Sequence, residues 1–364
     1  MATLCGGIIG LPNVGKSTLF NILTEGKAYV ANFPFSTVSP NVGIAFVPDS
    51  RLEYLTRLIN PEITTPARVQ FVDVAGLVKG AHQGEGLGNE FLSKIRGVDV
   101  LVEVVRCFRG REIAHFEGKI DPIRDVQIIE LELLLSDLEI VERKLTKLNQ
   151  LIKSEFKKNK EKLDLLQKVK VNLEKGNSLR DVSFTREEES ELIKEDFLSF
   201  KPLIYVANVD EDNLSSSLFK RLREYILEKG AEVIEIYAQL ESELEDFPEE
   251  ERMEFLKELD IEEKGIDRLI KEVYKRLNLI TFFTISGGKE VRAWPVKRGT
   301  TALRAAGKVH SDMEKGFICS EVIAVSELLK IGSMKQAKEE GKVRVEGRDY
   351  LVKDGDVMHF RFSH

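Results

Sequence analysis

The run Gly10-Leu11-Pro12-Asn13-Val14-Gly15-Lys16-Ser17 fits G-x-x-x-x-G-K-[S/T], with an apolar run before it and helix character after it. Its glycines let the backbone curl so that successive N–H groups point at phosphate oxygens, and the following helix start adds a favourable dipole. Asn13, Val14, Gly15, Lys16, Ser17 and Thr18 are the expected phosphate contacts. Lys16 would reach the β- and γ-phosphates, and the Ser17 hydroxyl would ligate Mg²⁺. Asp73-Val74-Ala75-Gly76 matches D-x-x-G at the end of a strand. Asp73 would serve the metal and the Gly76 N–H the γ-phosphate. Between these two motifs, Asn32-Phe33-Pro34-Phe35-Ser36-Thr37 precedes a strand, and Thr37, rather than Ser36, is the expected third metal group. That order describes a GTPase-like domain with two switch segments.

Two positions depart from that pattern. Where such domains carry N-K-x-D to read guanine, this chain has Asn208-Val209-Asp210-Glu211. Adenine offers an acceptor at N1 where guanine offers a donor, so the carboxylate loses an obvious mate. Guanine preference becomes doubtful, though adenine preference does not follow from this alone. After D-x-x-G, where a glutamine often orients the attacking water, stands Leu77, which cannot hydrogen-bond it. His82, in the glycine-rich second switch, and His115 are the candidate replacements, set against the plainer reading of solvated loop histidines.

The elements that must hold these groups follow from apolar runs. Leu4–Ile9, Val42–Val47, Val69–Val72, Val98–Val105, Pro202–Ala207 and Val233–Ile236 read as strands, with a helix at about 214–227, and their alternation describes a doubly wound α/β domain. From 124 to 199 the pattern changes. Leu131, Leu138, Leu145 and Ile152 recur every seven residues, with Leu134, Val141 and Leu148 in the second seam position. A Lys-rich turn near Lys157–Lys160 would lead into a return helix through Leu166, Val169 and Leu173. The expected fold class is therefore α/β, a P-loop NTPase sheet with an inserted antiparallel helical hairpin. The expected boundaries are 1–123 and 200–277 for that domain, 124–199 for the insertion and 278–364 for a small β-rich domain of ubiquitin-like size. The acidic stretch Glu241–Asp260 reads as a solvated helix leading into the last domain.

The chain has 364 residues, 42% of them hydrophobic, enough to bury two or three cores. A net charge of −7 argues against wholesale coating of nucleic acid or an anionic membrane, yet residues from Asn278 onward balance to +4, so that end could face an acidic partner. Cys5, Cys107 and Cys319 lack metal-ligand spacing and read as small apolar groups in a reducing compartment. With no apolar stretch of membrane-spanning length and no leader-like N-terminus, the expectation is a cytoplasmic protein with no membrane partner. The heptad seam is satisfied by the return helix, which points to a monomer.

These motifs, with the long run Asp73–Gly88 and the ending Asp354-Gly355-Asp356-Val357-Met358-His359-Phe360, resemble the YchF-type Obg-like ATPases over essentially the whole chain. The resemblance implies a C-terminal TGS domain, a β-grasp module, and an ATP preference associated with N-x-x-E. It implies that Asn208 and the Val209 backbone contact adenine, with Glu211 nearby, and that His115 assists hydrolysis. Asn13 falls where potassium-stimulated relatives hold a monovalent cation, so K⁺ joins Mg²⁺ among the implied cofactors. Association with the ribosome or a ribosomal subunit, and with translation or stress responses, is implied as well. The expected function is thus an ATP-hydrolysing, ribosome-binding switch. The alternatives are a GTPase translation factor and a nucleotide-gated scaffold whose hydrolysis is incidental, the latter motivated by Leu77.

Overall fold

The computed structural model describes residues 4–24, 29–30, 41–74, 92, 94–110, 115, 118–151, 156–244, 247–258, 261 and 263–363. In chain order the elements begin β1 (Cys5–Ile9), α1 (Lys16–Leu23), β2 (Tyr29–Val30), β3 (Asn41–Phe46), α2 (Ser50–Ile59), β4 (Ile63–Thr65), β5 (Arg68–Asp73) and β6 (Val100–Arg106). There follow α3 (Pro122–Leu151), α4 (Phe156–Glu174), α5 (Arg186–Lys194), β7 (Leu203–Asn208), α6 (Asn213–Glu228), β8 (Val233–Ile236), α7 (Ala238–Glu243) and α8 (Glu249–Glu258). The remainder is α9 (Gly265–Arg276), β9 (Leu279–Ser286), β10 (Glu290–Lys297), α10 (Ala302–Val309), α11 (Ser311–Lys315), β11 (Phe317–Ala324), α12 (Val325–Ile331), α13 (Met334–Glu339), β12 (Arg344–Glu346) and β13 (Asp356–Phe362). The chain forms two compact units, Met1–Ile44 with Gln70–Arg268, and Ala45–Val69 with Leu269–His364.

The first unit is built on a sheet of order β2-β3-β5-β1-β6-β7-β8. β1 pairs in parallel with β5 and β6, and β6, β7 and β8 continue in parallel. Every residue of β1, β6 and β7 is buried, which is why these strands read as unbroken apolar runs rather than alternating ones. After β1 the chain first builds outward on one side of it, then crosses to β6 on the other. The carboxyl ends of β1 and β6 therefore flank a topological switch point, where α/β sheets place their ligands.

α3 is one unbroken helix of 30 residues that serves two packing partners. Near its start Val126, Ile129 and Leu133 are buried, at i, i+3 and i+7. Further out, Leu134, Leu138, Val141, Leu145 and Leu148 pack with Leu165, Leu166, Val169 and Leu173 of α4 and with Leu192 and Phe197. Leu131, the first leucine of the sequence heptad, is 52% exposed, because the apolar stripe changes phase where α3 passes from one partner to the other. The turn expected at Lys157–Lys160 also moves: α4 already begins at Phe156. The middle of α3 is pinned by polar contacts. Fully buried Asp137 accepts from Arg96 Nη1 (3.0 Å), the Leu198 N–H (3.0 Å), the Ser199 N–H (2.7 Å) and Ser199 Oγ (2.8 Å).

The second unit has a mixed sheet of order β12-β11-β13-β9-β10-β4. β9 and β10 form an antiparallel hairpin turned by Gly287 and Gly288 at φ +58° and +72°, and β13 closes the sheet parallel to β9. Ala302, Ala305 and Ala306 of α10 lie on a core of Phe282, Trp294 and Phe360, giving a β-grasp arrangement. Residues 45–69 are expected in the nucleotide-binding domain. They fold instead with the C-terminal unit, since β4 pairs in parallel with Glu290–Arg292 of β10. Asp49 caps α2, and Arg51 bonds both Asp49 and Asp354.

The stretch 241–260 is likewise not one solvated helix. It contributes to α7 and α8, and Glu241 is buried, accepting from the Gly265 N–H (3.0 Å) and the Ile266 N–H (3.3 Å) at the start of α9. No helix among the described residues is long and apolar enough to cross a membrane.

Candidate nucleotide site

The loop between β1 and α1 has the backbone that its glycines allow. Gly10 lies at φ +149° and Gly15 at φ +95°, and Asn13 also adopts positive φ (+63°). A Cβ on Gly10 would stand 2.5 Å from the Val104 carbonyl oxygen of β6, so only glycine lets the loop lie against that strand. The left-handed Gly15 is the N-cap of α1, and no side chain caps the helix. Its first N–H groups are thus left to a ligand, in the geometry that binds anions.

Lys16 folds back over this loop. Its Nζ donates to the carbonyls of Leu11 (2.7 Å) and Gly10 (3.2 Å), and the residue is buried. Burial pushes its pKa down to about 8, against the opposing pull of the Asp73 carboxylate. Asp73 ends β5, and the Ser17 hydroxyl donates to its Oδ2 at 3.3 Å. Burial raises the Asp73 pKa, while Lys16 and the Ser17 hydrogen bond work in the other direction. A hydroxyl and a carboxylate side by side form a hard-oxygen donor pair suited to Mg²⁺. Thr18 lies in the first turn of α1. Thr37, Gly76, Leu77 and His82 fall outside the described residues.

The base-side residues are arranged in a way that sequence did not reveal. Asn208 ends β7 buried, its Nδ2 donates to the Val14 carbonyl (3.0 Å), and its Oδ1 accepts from the Ala238 N–H (3.3 Å). Its amide therefore bridges the phosphate loop and the start of α7. A Cβ on Gly15 would stand 2.2 Å from Asn208 Nδ2, so the second glycine of the motif makes room for this bridge. Val209 is buried and its N–H donates to the Ile236 carbonyl (3.0 Å), which leaves that donor unavailable to a base. Glu211 is exposed three residues beyond the end of the strand.

His115 follows β6 with its side chain buried, its Nε2 2.8 Å from Asp125 Oδ2 in the first turn of α3. Arg124 Nη2 bonds the other carboxylate oxygen of Asp125 (2.9 Å). The ring is therefore held by the root of the helical insertion and is not a solvated loop side chain.

Such a loop, with its lysine, its serine–aspartate pair and a bridging asparagine at the switch point of a parallel sheet, defines a P-loop nucleotide-binding protein. A family model described as "50S ribosome-binding GTPase" matches residues 6–144, and one described as "Protein of unknown function (DUF933)", the C-terminal part of YchF, matches residues 279–363. Proteins named "Ribosome-binding ATPase YchF" from Bacillus subtilis (49% identical, 99% of each chain), Haemophilus influenzae (47%, 98% of each) and Escherichia coli O157:H7 (45%, 98% of each) are similar over their whole length. A solved structure described as "Structure of the Schizosaccharomyces pombe YchF GTPase" superposes with TM-score 0.87 at 35% identity, over 99% of this chain and 98% of that one. The chain belongs to the YchF family.

Proposed function

We propose that this protein is a Mg²⁺-dependent ATPase of the cytoplasm whose nucleotide state governs its binding to the ribosome and thereby modulates translation or a stress response. The observation that carries the nucleotide part is the phosphate cradle: uncapped N–H groups at α1, with buried Lys16 folded over the loop. The similar proteins that match this chain over its length at 45–49% identity are named ATPases. Support for adenine comes from Asn208-Val209-Asp210-Glu211, where the valine and the exposed glutamate replace the usual guanine-reading pair.

In this mechanism the loop N–H groups and Lys16 hold the β- and γ-phosphates and offset the charge that grows on the transferred group. Ser17, Asp73 and Thr37 hold the magnesium ion, which supplies charge neutralisation on the phosphates when bound. The Gly76 N–H meets the γ-phosphate. Val14, Gly15 and Thr18 complete the phosphate contacts, and Asn208, the Val209 carbonyl and Glu211 border the base. Asn13 is the position for a K⁺ ion. His115 positions or deprotonates water after its hydrogen bond to Asp125 is exchanged. The C-terminal 87 residues, with their +4 balance, and the α3–α4 hairpin are the parts we assign to ribosome contact.

Parallel equilibrium titrations with fluorescent ATP and GTP analogues, Mg²⁺ and K⁺ present, test the base preference, and co-sedimentation with ribosomal subunits tests the partner. Equal or tighter GTP binding would return the site to the guanine reading. Absence of pelleting in every nucleotide state would remove the ribosome.

A further inference from the structure

Where the helical insertion joins the sheet, a cavity of about 420 Å³ opens between α3, the turn after α4 and the residue following α6. That is the lower part of the range for small-molecule pockets. The cavity lies within the first unit, and its lining shares no residue with the nucleotide site described above. Glu130, Asn172, Ser178, Arg180 and Lys229 give it polar walls of both signs. β6 pairs with β7 so that Glu103 stands beside Tyr205, and register partners of parallel strands point to the same face. On that face Tyr205 Oη donates to Glu130 Oε1 (2.5 Å), and Lys229 Nζ donates to the other oxygen of Glu130. Glu103 is different. It is 1% exposed, and neither carboxylate oxygen has a hydrogen-bond partner among the described residues. Its charged neighbours include Glu130, Arg180 and Lys229, all three in the cavity wall. Arg180 repeats the pattern with the opposite sign: Nη2 donates to the Leu198 carbonyl (3.2 Å), while the buried Nε has no partner among the described residues.

A buried polar group without a partner costs free energy that a native fold seldom leaves uncompensated. Here two such groups, of opposite sign, meet at one cavity. An anionic guest would answer Arg180 but face Glu103 and Glu130, and a cationic guest would answer Glu103 but face Arg180 and Lys229. A compact zwitterion answers both. We propose that this cavity binds a free α-amino acid, its carboxylate on Arg180 and its ammonium on Glu103. The Nε–H of a guanidinium is one tine of the fork that takes a carboxylate side-on, which suits the group left open on Arg180. Burial, with Glu130 and Asp125 adding to it, pushes the Glu103 pKa well above the usual carboxylate range, against the pull of Arg180 and Lys229. An arriving ammonium draws it back down, so binding releases a proton. The site is independent of which base the nucleotide carries, and it joins β6 of the sheet to the root of the insertion.

The test titrates the common free amino acids, one at a time at millimolar concentration, against the full chain and two variants. Glu103→Gln keeps the shape and removes the charge, whereas Arg180→Lys keeps the charge and removes the fork. Circular dichroism and nucleotide titration check that both variants fold. We expect at least one amino acid to raise the unfolding temperature of wild type, with affinity lower by roughly tenfold or more in each variant. The matching amino alcohol, which lacks the carboxylate, and the matching carboxylic acid, which lacks the amine, should each bind far more weakly. Calorimetry in buffers of different ionisation enthalpy should show proton release in wild type and none in Glu103→Gln. Failure of every amino acid to bind wild type, the result for a cavity that holds water alone, overturns the proposal. Equal binding of either half-molecule, or undiminished binding in either variant, also overturns it. Should Arg180→Lys not fold, Glu103→Gln and the two half-molecules still decide.

Discussion

Replacing Asn208 by alanine separates two roles for that side chain. The substitution removes the acceptor of the Ala238 N–H and the donor to the Val14 carbonyl, both buried contacts. Each group left without a partner costs about 1–3 kcal/mol, so losing two should cost the first unit roughly 2–6 kcal/mol of stability. ATP affinity should fall about tenfold, one hydrogen bond's worth of loop organisation. Because both ends of the amide are engaged within the protein, the ratio of ATP to GTP affinity should not move. Gly15 supplies a check. Alanine there meets Asn208 Nδ2 at 2.2 Å and must also adopt φ +95°, so Gly15→Ala alone should nearly abolish binding. In the Asn208→Ala background the clash is gone and only the backbone strain of about 1–2 kcal/mol is left, so the two substitutions should couple favourably. The assays are nucleotide titration with both bases and denaturant unfolding of all four proteins. A changed base ratio in Asn208→Ala, or additive effects in the cycle, would refute the bridge and favour direct contact with adenine.

Three further outcomes follow from buried charge. With the Lys16 pKa lowered to about 8, nucleotide binding should take up a proton above pH 8 and none near pH 6.5, since the phosphates restore the ammonium form. Calorimetry in buffers of different ionisation enthalpy reads that uptake, and a pH-independent enthalpy would refute it. Burial raises the Glu241 pKa from 4.5 to about 7, so its contribution to stability is fully present below pH 4.5 and is lost as the pH rises through 7, by ~3 kcal/mol. Glu241→Gln should flatten that part of the stability–pH curve, and an unchanged slope would count against it. Asp137→Ala strips Arg96 and three other donors of their acceptor, and should lower stability by about 3–5 kcal/mol in thermal or denaturant unfolding. A loss under about 1 kcal/mol would mean that water replaces the carboxylate.

The features legible in sequence are those written locally. The phosphate loop is eight consecutive residues whose glycines serve immediate backbone needs, and the buried strands announce themselves as apolar runs. The bridge from Asn208 to Val14 joins residues 194 apart, and no local pattern encodes it. For the same reason β4 was missed: Ile63–Thr65 is a short strand defined only by pairing with β10, far along the chain. Leu131 misled because a heptad count assumes one partner, while α3 has two. Glu241 was assigned to solvent because it sits in acidic company, yet the start of α9 needs an acceptor for its N–H groups and takes that one. His115 was equally ambiguous in sequence, since its partner Asp125 is visible only once the helix root is in place.

The continuity of α3 has a mechanical consequence. Thirty residues without a break make a rod of ~45 Å, whose first turn is gripped by His115 at Asp125 and whose middle is gripped by Arg96 at Ser136 and Asp137. A rod held over its first half leaves the other half as a lever arm. About 21 Å of the helix extends past Asp137, so a tilt of about 5° there carries the far end through roughly 2 Å. A load applied at the far end would return as torque on Asp137 and, through the unbroken helix, on the His115–Asp125 contact.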